Sequence, residues 1–178
     1  MNQIAKFHYS EAEKKTILKS MIVLIDSQEK VNGHITAWLD KNKIRHEVKS
    51  LDFGDYSFKI PALPELGIPR ELYFTKDIVV ERKNSLEELS QNLAQKREQF
   101  KNEFLRAKDC TKVMIVEKGT YTDILTGAYD TKFSSESYFA SLISFQLKYN
   151  LNICFVGKEH AGRFLYAQIY QYLKIWLG

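Results

Sequence analysis

Four carboxylates and one lysine stand where a sheet protein can do chemistry. Asp26 follows directly on the apolar run Met21-Ile22-Val23-Leu24-Ile25, and Glu29 comes three residues later. Asp55 sits in the pair Gly54-Asp55, and Glu81 and Lys83 close the stretch Asp77-Ile78-Val79-Val80-Glu81-Arg82-Lys83. Side chains alternate along a strand, so Glu81 and Lys83 share a face and Arg82 points away. Gathered at one edge of a sheet, Asp26, Glu29, Asp55 and Glu81 would repel one another, and each would lose hydration. A hard divalent cation is the usual compensation, and Mg²⁺ takes one or two carboxylates with waters and phosphate oxygens. A lysine beside such a site can orient a water or neutralise charge on a phosphorus centre under attack. An acid, a spacer and Glu-x-Lys is the pattern of metal-dependent phosphodiester hydrolysis. Each piece also has a plainer reading. The strand could simply leave the core at Glu81, and Gly-Asp is a common turn pair. Glu29, Glu87 and Glu88 could be acids at helix starts, favoured there by the dipole.

The elements that must position these residues follow from the hydrophobic pattern. Residues 21–25 and 113–117 are short, branched apolar runs that read as strands buried on both faces. Residues 30–42 carry apolar Val31, Ile35, Ala37, Trp38 and Leu39 on roughly one helical face. Arg45 to Leu51 and Phe53 to Phe58 read as further strands. Residues 61–70 hold all three prolines and read as a loop, and Leu72 to Glu81 returns as a strand. Residues 53–81 therefore form a hairpin with a long irregular tip. Ser85-Leu86-Glu87-Glu88 fits a capping box and opens a helix whose spacing runs to about Lys108. Residues 120–126, 134–149 and 159–176 read as helices, with a strand at 153–156. Residues 1–20 read as an appended, partly helical arm. Strands alternating with helices imply a sheet covered on both faces.

The bulk composition sets the class. A chain of 178 residues, 44% hydrophobic and 27% charged, suits one soluble domain with a real core. No run approaches a membrane span and the N-terminus has no apolar signal core, which points to the cytoplasm. Cys110 and Cys154 form no CxxC pair, which disfavours a zinc or disulfide framework. A net charge of +4 permits nucleic-acid binding without arguing for it.

Gly54-Asp55 followed by Glu81-Arg82-Lys83, with an acid four positions later at Glu87, resembles the GD…ERKxxxD signature of the XPF family of structure-specific endonucleases. Asp26-Ser27-Gln28-Glu29 is similar to the D-x-R-E pattern that often ends the family's opening strand. The likeness extends through Arg97 to Ala107, Val113 to Glu117 and Phe133 to Tyr149, and covers about residues 21–176. It implies an α/β, restriction-endonuclease-like (PD-(D/E)XK-type) fold, a central mixed sheet flanked by helices. It implies an arm over residues 1–20 and a nuclease domain over 21–178, with no helix-hairpin-helix domain. It also implies Mg²⁺ or Mn²⁺ held by Asp55 and Glu81 with Asp26 contributing, and Lys83 as the catalytic lysine. Glu29 would bind metal through water, and Arg82 would take a structural or DNA-positioning role. Two departures stand out: Gln28 replaces the pattern's arginine, and Glu87 replaces its aspartate. The implied activity is metal-dependent endonucleolytic cleavage of branched, forked or flapped DNA, in recombination, repair or phage DNA processing. A non-catalytic DNA-binding or scaffold subunit is the alternative, since some relatives keep the fold and lose the site.

Two surfaces are expected to serve that activity. Lys96, Arg97 and Lys101, with Arg106 and Lys108 beyond, lie on or near one helix and could contact phosphates, although Glu98 and Glu103 interleave. The last helix, Phe164 to Trp176, is apolar nearly all round. With residues 134–149 it is the expected homodimer surface.

Overall fold

A computed structural model describes residues 8–178. Of the expected N-terminal arm, residues 1–7 lie outside the described residues. The rest forms helix α1 (Glu11–Ser20), opened by a reciprocal capping box between Ser10 and Glu13. Ile17 of this helix is fully buried in the main core.

The described strands are β1 (Ile22–Ile25), β2 (His46–Val48), β3 (Tyr56–Ile60), β4 (Leu72–Tyr73), β5 (Ile78–Lys83), β6 (Thr111–Val116) and β7 (Leu151–Phe155). They form one mixed sheet in the order β2-β1-β3-β5-β6-β7, with β4 paired to β3 off that path. β3 runs antiparallel to β1 and β5, whereas β5, β6 and β7 are parallel. The remaining helices are α2 (Gly33–Lys41), α3 (Leu86–Leu93), α4 (Arg97–Arg106), α5 (Tyr121–Thr126), α6 (Ser135–Tyr149) and α7 (Ala161–Leu177).

Period-two alternation splits the apolar residues between two cores. Val23, Ile25, Tyr56, Phe58, Val80 and Ile115 face one side, where they meet Ile17 of α1, Ile35 and Leu39 of α2, and Leu165 and Ile169 of α7. Met114, Val116 and Ile153 face the other side, against Leu86 and Leu89 of α3, Phe100 of α4, and Tyr138 and Leu142 of α6. The result is a sheet between two helical layers, as expected for this class.

Two expected elements are interrupted. The strand expected from Leu72 to Glu81 breaks at Phe74–Asp77, where Asp77 and Ile78 both donate to the Phe74 carbonyl (3.0 and 3.1 Å). Phe74 instead buries its ring, stacked on Phe58 at 4.4 Å between centroids. The single helix expected from Ser85 to Lys108 is two helices. A wide turn separates them, in which Lys96 N–H bonds back to the Gln91 carbonyl at 2.9 Å.

The final helix also differs from its expected all-round apolar surface. Leu165, Ile169, Leu173 and Leu177 enter the core, while Arg163, Ala167, Gln171, Lys174 and the apolar Ile175 are exposed. Among the described residues no helix is long and apolar enough to cross a membrane.

Candidate active site

The edge of the sheet where β1, β5 and β6 end collects the charged residues. β5 supplies most of them because its alternation persists to its last residue. Ile78 and Val80 enter the first core, and Arg82 follows them on that face. Glu81 and Lys83 emerge on the opposite face, where their side chains meet at 2.6 Å (Glu81 Oε1 to Lys83 Nζ).

Asp55 is delivered to the same face by β3. Tyr56 pairs with Val80, so the preceding residue lies beside Glu81. The Asp55 N–H donates to the Val80 carbonyl (3.0 Å), and Asp55 Oδ2 accepts from the Arg82 backbone N–H (2.7 Å). Gly54 is required for this delivery. Its φ is +73°, and a Cβ there would lie 2.9 Å from Cβ of Val79.

The electrostatics match the geometry. Burial pushes the Asp55 carboxyl well above the usual carboxylate range, the Glu81 charge raises it further, and Lys83 opposes both. Burial pulls the Lys83 ammonium down, but Glu81, Asp55 and Glu88 outweigh it and hold the lysine above its ordinary value. Lys83 is therefore cationic at neutral pH. Its Nζ also lies 3.8 Å from Glu88 of α3 and 5.3 Å from the centre of the Phe100 ring of α4. Glu103 of α4 is raised by burial and by the same Glu81 charge, which places it at the margin of the site.

Asp26 reaches this edge through the backbone, its N–H donating to the Asp55 carbonyl at 2.7 Å. Its carboxylate is engaged elsewhere. One oxygen accepts from Gln28 N–H and the other from Leu51 N–H, both at 2.8 Å. Among the described residues no three His, Cys, Asp or Glu side chains are gathered to hold a metal ion. Asp55 and Glu81 are nonetheless neighbouring carboxylates on one face, and two carboxylates with waters and phosphate oxygens suit Mg²⁺. The donor set therefore fits a hard divalent ion held by the pair, with Asp26 next in reach along the backbone.

Behind the site, Arg82 makes a buried network that the sequence reading did not find. Its Nε and Nη2 donate to the two oxygens of Glu117, each at 2.7 Å, and its Nη1 donates to Glu29 at 3.0 Å. His34 Nε2 lies 2.5 Å from the same Glu117. Burial alone would raise the Glu117 carboxyl, but Arg82 and His34 outweigh it and hold it below its usual range. Glu29 is raised by burial despite Arg82, with Glu88 and Glu81 adding to the shift. The signal for Glu117 was present, since it follows a buried strand just as Asp26 does. Nothing local marked His34.

The remaining expected residues divide. Arg82 commits its guanidinium to carboxylates at 4% side-chain exposure, so it presents no donor fork to solvent. Lys96 and Arg97 are exposed at the start of α4; Arg97 lies over the Phe145 ring at 5.1 Å, and half-buried Lys101 pairs with Glu98 at 3.2 Å. Glu87 accepts from Asp130 N–H at 3.1 Å, whereas its neighbour Glu88 is the acid beside Lys83.

No curated protein matches the chain. Among solved structures it is similar to XPF from Aeropyrum pernix, with TM-score 0.60 and 18% identity over 85% of this chain and 64% of that one. It is also similar to XPF from Aeropyrum pernix in complex with DNA, with TM-score 0.62 and 18% identity over 86% of this chain and 66% of that one. The chain thus spans just under two thirds of each structure, and the shared architecture is restriction-endonuclease-like. The family model of the ERCC4 domain matches residues 25–167, a span that takes in both flanks of the site described above, and the chain belongs to that family.

Proposed function

We propose that the chain is a Mg²⁺- or Mn²⁺-dependent DNA endonuclease that hydrolyses phosphodiester bonds in branched, forked or flapped DNA. The observation that carries this reading is the meeting of Asp55, Glu81 and a buried Lys83 on one face at the sheet edge. Family membership and a fold shared with an XPF solved on DNA support it. Recombination, repair or phage DNA processing is the context such an activity serves.

Asp55 and Glu81 would hold the metal, and Asp26 would join if its carboxylate turned from the Gln28 and Leu51 amides. A bound divalent ion supplies polarisation of the scissile phosphate and a lowered pKa for the attacking water. The chain's own residues do the rest. Lys83, held by Glu81, donates to a phosphate oxygen or orients the water. The Arg82 amide holds Asp55 in place from its own backbone. Lys96 and Lys101, at the start of α4, approach the phosphate backbone, and Arg97 supports them. A homodimer through α6 and α7 would enlarge the DNA surface. Leu147 and Ile175, each 78% exposed, are the apolar residues those helices leave open.

A second reading, a non-catalytic DNA-binding or scaffold subunit, is favoured by one feature. Gln28 stands where the pattern has arginine, so the guanidinium that the pattern supplies beside Asp26 is missing. End-labelled fork, flap, duplex and single-stranded DNA, incubated with the chain in Mg²⁺ or Mn²⁺, separate the readings. Preference for forks or flaps supports the proposal, and uniform cutting of all four would make it a nuclease without structure preference. Binding without cutting on every substrate would favour the scaffold.

A further inference from the structure

The reverse face of the site holds more buried polar chemistry than a strand end needs. Arg82 satisfies three of its guanidinium donors on two carboxylates, and neither carboxylate belongs to its own strand. Glu117 extends β6, and its N–H bonds to the Lys83 carbonyl at 2.9 Å, one step beyond the end of β5. Glu29 comes from the segment after β1, and its N–H bonds to the Asp26 carbonyl at 3.1 Å. His34 lies in the first turn of α2. The Glu117 side chain has no solvent exposure, and its two oxygens accept from Arg82 and His34. Three separate segments therefore meet at one guanidinium, directly behind Glu81 and Lys83, and α2 joins them through His34 on Glu117.

We propose that Glu117 is a positioning residue for the catalytic edge: its bidentate grip on Arg82, shared with Glu29 and His34, holds the end of β5 so that the Arg82 amide stays on Asp55 while Glu81 and Lys83 meet in front. The proposal rests on the nuclease reading only for its effect on cleavage. The physical argument is one of rigidity. A planar guanidinium held by two parallel bonds to one carboxylate fixes direction as well as distance. Arg82 is one residue from each of Glu81 and Lys83, so a rotation of its backbone would carry both side chains and the amide that Asp55 accepts. Residues that support a ligand in this way typically change activity by about 10- to 100-fold when altered.

The test uses Glu117→Gln, Arg82→Lys and the double variant. Gln keeps the shape but loses the charge and one acceptor, and Lys keeps the charge but cannot fork. Steady-state cleavage of a flap substrate is expected to show kcat lowered about 10- to 100-fold in Glu117→Gln, with KM within about 2-fold of wild type. The double variant is expected to be no slower than Arg82→Lys alone, because Glu117 acts through Arg82. Additive losses, or unchanged kcat in folded Glu117→Gln, would overturn the proposal. Nuclear magnetic resonance supplies a readout free of activity. In the wild-type chain the Arg82 Nε–H and backbone N–H are expected to exchange slowly, and in Glu117→Gln both exchange faster. If the wild-type Arg82 Nε–H exchanges as fast as that of exposed Arg163, the grip is absent and the proposal fails, even where Glu117→Gln does not fold. A wild-type chain that cuts no DNA while these protons stay protected would count against the nuclease reading and leave the grip standing.

Discussion

Gly54→Ala isolates the step that brings Asp55 to the site. Two costs can be read from the structure. Gly54 has φ +73°, and a residue with a Cβ loses about 1–2 kcal/mol in that left-handed region. The new Cβ would also stand 2.9 Å from Cβ of Val79 and 3.3 Å from one of its methyls, an overlap on buried strand β5 that costs about 1–3 kcal/mol. The sum is about 2–5 kcal/mol, and for a chain of this size each kcal/mol lowers Tm by about 2–4 °C. Thermal denaturation followed by circular dichroism is therefore expected to show Tm lower by about 4–20 °C. Gly54→Asn separates the two costs, because Asn tolerates the left-handed region but carries the same Cβ. Its Tm is expected to fall between wild type and Gly54→Ala. A Gly54→Ala chain within about 0.5 kcal/mol of wild type would refute the reasoning, since surface changes commonly stay in that range. Equal losses for Ala and Asn would refute the backbone part alone.

Three further outcomes follow from particular contacts. Burial and Glu81 raise the folded-state pKa of Asp55 above its unfolded value, so the folded chain binds that proton more tightly. Stability then falls as pH rises through the unfolded value toward the raised one, and the cost is complete above it. Asp55→Asn should accordingly melt above wild type at neutral pH in chelator, with the gap closing below the ordinary carboxylate range; a gap independent of pH would contradict this. Ile17→Ala should cost about 2–5 kcal/mol by chemical denaturation, because Ile17 is fully buried in the main core, whereas a loosely attached arm would give almost nothing. Lys112→Met should cost about 1–3 kcal/mol and speed amide exchange over the last turn of α4, since the Lys112 ammonium donates to the Ala107, Lys108 and Cys110 carbonyls at 3.0, 3.3 and 2.8 Å.

Much of the candidate site was legible because it is written along single strands. In β5 the alternation that buries Ile78 and Val80 also decides which of Glu81, Arg82 and Lys83 face together, so a local pattern reached the site. Asp55 was legible through Gly54, whose backbone conformation only a few residues tolerate. The turn between α3 and α4 was not legible, because Leu86, Leu89, Leu93, Phe100 and Phe104 keep helical spacing straight through it and line one core. The break in the returning strand was hidden for a similar reason. Phe74 is a good strand residue by type, yet the ring stack with Phe58 holds it in a turn. His34 and Glu117 are 83 residues apart, and only the packing of α2 beside the end of β6 makes them neighbours. Asp26 was read correctly as a strand-end acid, but what its carboxylate accepts depends on Leu51 from a distant loop.

The central claim is that Asp55, Glu81 and Lys83 form a working hydrolytic site. It is tested most directly by cleavage of an end-labelled flap DNA in Mn²⁺, comparing wild type with Asp55→Asn and Lys83→Ala of verified fold. The account predicts metal-dependent cutting by wild type and its loss in both variants, with DNA binding retained. Cutting that survives either substitution, or a folded wild-type chain that binds the flap and never cuts it, would contradict the claim.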